Sequence, residues 1–234
     1  MNQKIKLIEC PRDAMQGWPH LISTNKKIEY INSLLQVGFD TIDFGSFVSP
    51  KAIPQMADTN EVIRKIKNKK SKTKLLAIIA NERGAQDAVV YDEITYLGFP
   101  FSVSETFQLR NTHSTIKESL GRVEEIQNLC IKNKKELVVY ISMGFGNPYG
   151  DVYNEEIVFD WVYKLAAMDI KIISLADTVG LATKEQVYKV TKFLIDSLPS
   201  TEIGVHLHST NLNWKEKVDA ALQAGCKRFD GALK

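Results

Sequence analysis

Residues 136–143 read ELVVYISM: a run of apolar and β-branched side chains with hardly a polar interruption until Ser142. A strand wetted on one side alternates apolar and polar residues. A near-continuous run suits a strand buried on both faces, the condition of a parallel sheet covered by helices. Seven further runs share this character. Upstream lie IKLIE (5–9), TIDFGSF (41–47), KLLAIIA (74–80) and EITYLGF (93–99); downstream lie IKIISLA (170–176), EIGVHLH (202–208) and RFDGAL (228–233). Segments of helical period separate most of them. STNKKIEYINSLLQVG offers Ser/Thr caps, aligns Ile28, Ile31, Leu34 and Leu35 on one face and stops at Gly38. In STIKESLGRVEEIQNLCIKN, Thr115 and Glu118 have capping-box spacing. Eight strands alternating with helices predict a (β/α)8 TIM barrel rather than an open doubly wound sheet. No glycine-rich nucleotide fingerprint follows the first strand.

No Pro/Gly/Ser-rich linker divides the 234 residues, so 1–234 is read as one barrel domain. The eighth strand run falls at the end of the chain, where a helix covering strands eight and one is expected. Such a helix buries about four to six large side chains at about 1.5–3 kcal/mol each. The expectation is therefore a barrel truncated after its eighth strand: a piece of a longer protein, or one covered by a partner.

Apolar residues make up 44% and charged residues 25% of the chain, with a formal net charge of +2. No global field draws it to nucleic acid or a membrane surface. The one dense basic run, KIKNKKSKTK (65–74), reads as a solvated helix end and loop, with a patch for an anionic ligand handle as the alternative. The N-terminus lacks the apolar core of a signal peptide, and no run approaches a membrane span. Three dispersed cysteines, Cys10, Cys130 and Cys226, form no disulfide or zinc framework. A reduced, cytoplasmic setting is expected.

Ligands bind a barrel at the C-terminal ends of its strands. Sorting polar residues by strand end brings together Arg12, Asp13 and Gln16 after the first strand and Asp43, Ser46 and Ser49 around the second. Arg110 and Asn111 follow the fourth, Ser142 ends the fifth, Asp177 and Thr178 the sixth, and His206 and His208 the seventh. Two histidines two residues apart on a strand point the same way. With a carboxylate they suit a divalent metal, leaving positions for water and substrate. Asp13 is the natural third ligand because strand one closes on strand eight. The alternative for the histidines is two hydrogen-bonded strand residues. Arg12 is read as stabilising a developing oxyanion or as a local ion pair with Asp13. Asp43 is read as an acceptor for Arg12 or as a core carboxylate.

These residues resemble a known family. CPRDAMQ (10–16) is similar to the GPRDGLQ motif of 3-hydroxy-3-methylglutaryl-CoA lyase, a TIM-barrel metallolyase. SFVSPKAIPQMAD (46–58), SLADTVGLAT (174–183) and VHLHST (205–210) follow in the expected order. The resemblance implies Mg²⁺ or Mn²⁺ held by Asp13, His206 and His208. It implies Arg12 and Asp43 as catalytic residues, and Gln16, Ser46, Asn111 and Thr178 along the substrate site. The implied reaction splits 3-hydroxy-3-methylglutaryl-CoA, an acyl-CoA substrate, into acetyl-CoA and acetoacetate, as in leucine degradation; the implied assembly is a homodimer. Ala14, Asn147 and Ser209 stand where the family usually has glycine, cysteine and aspartate. The family's GxGGCP loop, with its cysteine, and a metal-binding asparagine fall beyond FDGALK. The implied full-length protein is the lyase, and this stretch alone is weakly active or inactive. The alternatives are a related acyl-CoA or 2-oxo-acid aldolase or condensing enzyme, and a non-catalytic barrel.

Overall fold

The computed structural model describes residues 4–68 and 71–233; Lys69 and Lys70 of the basic run and Lys234 lie outside them. Eight parallel strands close into a barrel in sequence order. They are β1 (Lys6–Glu9), β2 (Thr41–Ser46), β3 (Lys74–Ile78), β4 (Ile94–Ser102), β5 (Glu136–Ser142), β6 (Ile172–Asp177), β7 (Glu202–Leu207) and β8 (Arg228–Gly231). β8 pairs with β1 through Lys6–Arg228, Leu7–Phe229, Ile8–Asp230 and Glu9–Gly231, which makes the closure. All eight predicted runs are strands, the barrel is the predicted TIM barrel, and the differences are a few residues at strand ends. Among the described residues no helix is long and apolar enough to cross a membrane.

The helices between the strands are α1 (Pro11–Gln16), α2 (Thr24–Leu34), α3 (Thr59–Lys65), α4 (Glu82–Val89), α5 (Glu105–Thr112), α6 (Ile116–Lys132), α7 (Glu155–Ala167), α8 (Lys184–Ser197) and α9 (Trp214–Gln223). The capping box of α6 forms as its spacing predicts: the Thr115 hydroxyl accepts from Glu118 N, and Glu118 accepts from Thr115 N. The cap expected for α2 does not form. Ser23 makes no side-chain cap bond, and the Thr24 hydroxyl donates to Asp58 Oδ2 at 2.8 Å.

The strands from β2 to β6 are buried on two sides. Leu75, Ala77 and Ile79 of the third run belong to the main core between strands and helices, whereas Leu76 and Ile78 pack inside the barrel with Tyr96, Val138, Tyr140 and Ile172. Period-2 alternation therefore separates two apolar layers rather than an apolar and a wet one. The lower interior is charged. Arg228 is fully buried, its guanidinium lies over the Tyr96 ring, and it donates to Glu202, which also pairs with Lys6. Gly204 makes room for it, since a Cβ at that position would lie 2.9 Å from Arg228 Cδ. A wide cavity of about 1420 Å³ opens at this N-terminal end, between Lys6, Lys74 and Glu202. The predicted site residues gather at the other end. On the outside of the closure, Leu7 is 52% exposed.

Candidate metal centre at the barrel mouth

β1 hands the chain to α1 through Cys10-Pro11. Proline in the first helical turn has φ preset and no N–H to satisfy, so the turn starts at once above the strand end. That turn projects Arg12 toward β2 and Asp13 toward β7. Arg12 Nη2 donates to Asp43 Oδ2 at 2.6 Å, and Nε donates to the same oxygen at 3.0 Å. Nη1 donates to Asp13 Oδ1 and to Gln16 Oε1, each at 3.0 Å. Four of the five guanidinium N–H groups are thus committed, and the fifth is on Nη2. Burial pushes the Asp43 carboxyl up, to about 6, against the pull of Arg12.

His206 lies within β7, and His208 one residue beyond its end. His208 Nδ1 lies 2.9 Å from the Thr178 carbonyl oxygen, an acceptor only. Nδ1 therefore carries a proton, and in the neutral ring Nε2 is bare. His206 Nε2 is 3.3 Å from His208 Nε2 and 3.5 Å from Asp13 Oδ2, and His208 Nε2 is 3.8 Å from the same oxygen. Burial disfavours ionised Asp13, but the two imidazoles and Arg12 outweigh it and hold the carboxyl well below its usual range.

The donor set fits a divalent cation. Ligands about 2.0–2.2 Å from one ion, at angles near tetrahedral or octahedral, lie roughly 3.0–3.5 Å from one another. Two ring nitrogens and a carboxylate oxygen here are separated by 3.3–3.8 Å. Asp13 and His208 are partly open to solvent, which leaves access for a substrate.

The other predicted residues are placed unequally. Thr178 is at the site through its carbonyl, and its hydroxyl accepts from Met143 N at 2.9 Å. Gln16 reaches the site through Arg12. Ser46 is buried, its hydroxyl donating to the Ile78 carbonyl at 3.2 Å, so it secures the top of β2 and presents no free group. Asn111 sits on α5 with its side chain exposed, and none of the hydrogen bonds that join the cluster reaches it.

Two participants escaped the sequence reading. Lys217 of α9 is 1% exposed; its Nζ donates to Asp177 Oδ2 at 2.7 Å and to the His208 carbonyl at 3.0 Å. It ties α9 to the ends of β6 and β7. Asp230 of β8 is the register partner of His206, and its Oδ2 lies 3.6 Å from His206 Nδ1. The available signals were a lysine in the apolar stripe of α9 and an acid inside a strand.

A closed (β/α)8 barrel whose C-terminal rim gathers a carboxylate, two imidazoles and a buried arginine defines a class: a TIM-barrel enzyme of the metallolyase kind. The chain belongs to the HMGL-like family, whose model matches residues 4–234. Its relatives are hydroxymethylglutaryl-CoA lyases. It is 32% identical over 225 residues to the Bacillus subtilis hydroxymethylglutaryl-CoA lyase, covering 95% of this chain and 74% of that one. It is also 32% identical to the cytoplasmic 3-hydroxy-3-methylglutaryl-CoA lyase of Rattus norvegicus, covering 100% of this chain and 68% of the relative. An HMG-CoA lyase from Acinetobacter baumannii, solved with coenzyme A and 3-methylmalate, superposes with a TM-score of 0.88 at 33% identity, covering 98% of this chain and 75% of that one.

Proposed function

We propose that the chain carries the site of a divalent-metal-dependent carbon–carbon lyase that cleaves 3-hydroxy-3-methylglutaryl-CoA to acetyl-CoA and acetoacetate. The observation that carries this reading is the convergence of Asp13, His206 and His208 beside Arg12 on the rim of an HMGL-like barrel. Mg²⁺ or Mn²⁺ held by Asp13, His206 and His208 would supply the positive charge that eases loss of the substrate's C3 hydroxyl proton.

Once that proton has left, the C2–C3 bond breaks and C3 becomes the ketone of acetoacetate. The electron pair passes to the thioester fragment as an enolate, which takes one proton at C2 to give acetyl-CoA, so atoms and charge balance. Arg12 answers the negative charge on the thioester oxygen with its uncommitted Nη2–H. Asp43 and Gln16 fix the guanidinium plane, so Arg12 need not reorganise as charge develops. Asp13 joins the two halves of the site: its Oδ1 accepts from Arg12, and its Oδ2 faces the imidazoles. Thr178 positions His208 through its carbonyl. The coenzyme A complex of the A. baumannii lyase supports an acyl-CoA substrate, and the cytoplasmic rat relative supports a cytoplasmic setting.

The test is acetoacetate release from 3-hydroxy-3-methylglutaryl-CoA with Mn²⁺ or Mg²⁺, after chelation, and in His206→Ala. Release that chelation and the substitution both abolish is expected. Cleavage indifferent to both counts against the reading, as does a folded, Mn²⁺-binding protein that carries the GxGGCP loop as well yet releases no acetoacetate.

A further inference from the structure

The two histidines of the cluster share a design. Each aims Nε2 at Asp13 and has an acceptor behind Nδ1. Behind His208 it is a neutral acceptor, the Thr178 carbonyl at 2.9 Å. Behind His206 it is a full carboxylate, Asp230, whose side chain is wholly buried and whose Oδ2 lies 3.6 Å from Nδ1. Both His206 Nδ1 and Asp230 Oδ1 are buried polar atoms without a hydrogen-bond partner. A separation of 3.6 Å is just outside hydrogen-bond range. Such contacts often tighten only when a site is loaded.

Asp230 has other neighbours. Ser174 Oγ donates to its Oδ2 at 3.4 Å, and the Cys10 thiol lies in the same pocket. Arg228, two residues earlier on β8, donates from Nη1 to Glu202; its Nε and Nη2 are buried without a hydrogen-bond partner, and none of the three bonds Asp230. The imidazole is thus the ring donor that the carboxylate faces, and strand register sets the pair, since His206 and Asp230 are direct partners across β7 and β8.

We propose that Asp230 is a positioning residue: it accepts the Nδ1 proton of His206, fixing the ring's orientation and tautomer so that Nε2 is presented to the cation as a bare, electron-rich donor. The proposal rests on the reading of Asp13, His206 and His208 as a metal site. Loss of such an outer carboxylate lowers metal affinity by about 10–100-fold. His208, backed by a carbonyl, is the weaker donor of the two.

The experiment is a calorimetric Mn²⁺ titration of the chain, Asp230→Asn and Asp13→Asn, with thermal melting of each without metal. Expected are a folded Asp230→Asn that binds Mn²⁺ about 10–100-fold more weakly than the parent and an Asp13→Asn that does not bind. Parent-like affinity within threefold in Asp230→Asn, with binding lost in Asp13→Asn, overturns the positioning role and leaves the metal site standing. Parent-like binding in Asp13→Asn, or none by the parent, overturns both. Should Asp230→Asn fail to fold, ring ¹H–¹⁵N spectra of the Mg²⁺-saturated parent decide, with His208, whose Nδ1 faces a carbonyl, as the reference. An Nδ1 proton of His206 shifted further downfield than that of His208, as a proton held by a carboxylate is, is expected; one shifted no further than that of His208 overturns the proposal, and a merely structural Asp230 would give that result.

Discussion

Replacing Lys217 with methionine keeps the length of the side chain and removes its charge. The Nζ lost in Lys217→Met bonds Asp177 Oδ2 at 2.7 Å and the His208 carbonyl at 3.0 Å, and both charged side chains are at most 2% exposed. Asp177 keeps only the Ala182 N–H, at 3.1 Å on its other oxygen. An uncompensated buried charge of this kind costs about 3–5 kcal/mol. For a chain of this size each kcal/mol lowers Tm by about 2–4 °C, so a drop of about 6–20 °C is expected in calorimetry of the metal-free protein. The companion variant Lys217→Met with Asp177→Leu removes both charges and should recover most of the loss, since an apolar pair is often as stable as a buried ion pair. A loss below about 1 kcal/mol, or a double variant no more stable than the single one, would refute the claim that this pair is desolvated and braces the rim.

Three further outcomes follow from the geometry. Arg12→Gln should lower kcat for acetoacetate release by about 10²–10³ while metal binding persists, because it removes the oxyanion donor and spares Asp13; kinetics alongside calorimetry read both. Asp43 has its folded pKa raised to about 6 from an ordinary 3.8. Its contribution to stability is therefore fully present below about 3.8 and lost as pH rises through about 6, by up to about 3 kcal/mol, and Asp43→Asn should flatten that slope in urea melts across pH 4–7. Thr115→Ala breaks the capping box of α6 and should cost about 1 kcal/mol, a fall in Tm of about 2–4 °C, with the metal site unchanged.

Much of the architecture was legible in local pattern. Doubly buried strands announce themselves by near-continuous apolar runs, and eight of them alternating with helices leave few topologies open. The rim residues were legible for a related reason: once the strands are known, their C-terminal ends are known, and Arg12, Asp13, Thr178, His206 and His208 lie there. The spacing of the histidines carried their shared direction, and Pro11 marked the tight entry into α1.

What local pattern could not supply was partnership across the fold. Lys217 and Asp177 are 40 residues apart, and an isolated lysine in the stripe of α9 reads as solvated until α9 is packed on the rim. Asp230 reads as a charge on a short strand until closure sets β8 beside β7 and its carboxylate behind His206. Period and spacing report which side a residue faces; desolvation and charge pairing depend on what stands opposite, and for this chain only the closed barrel decided that.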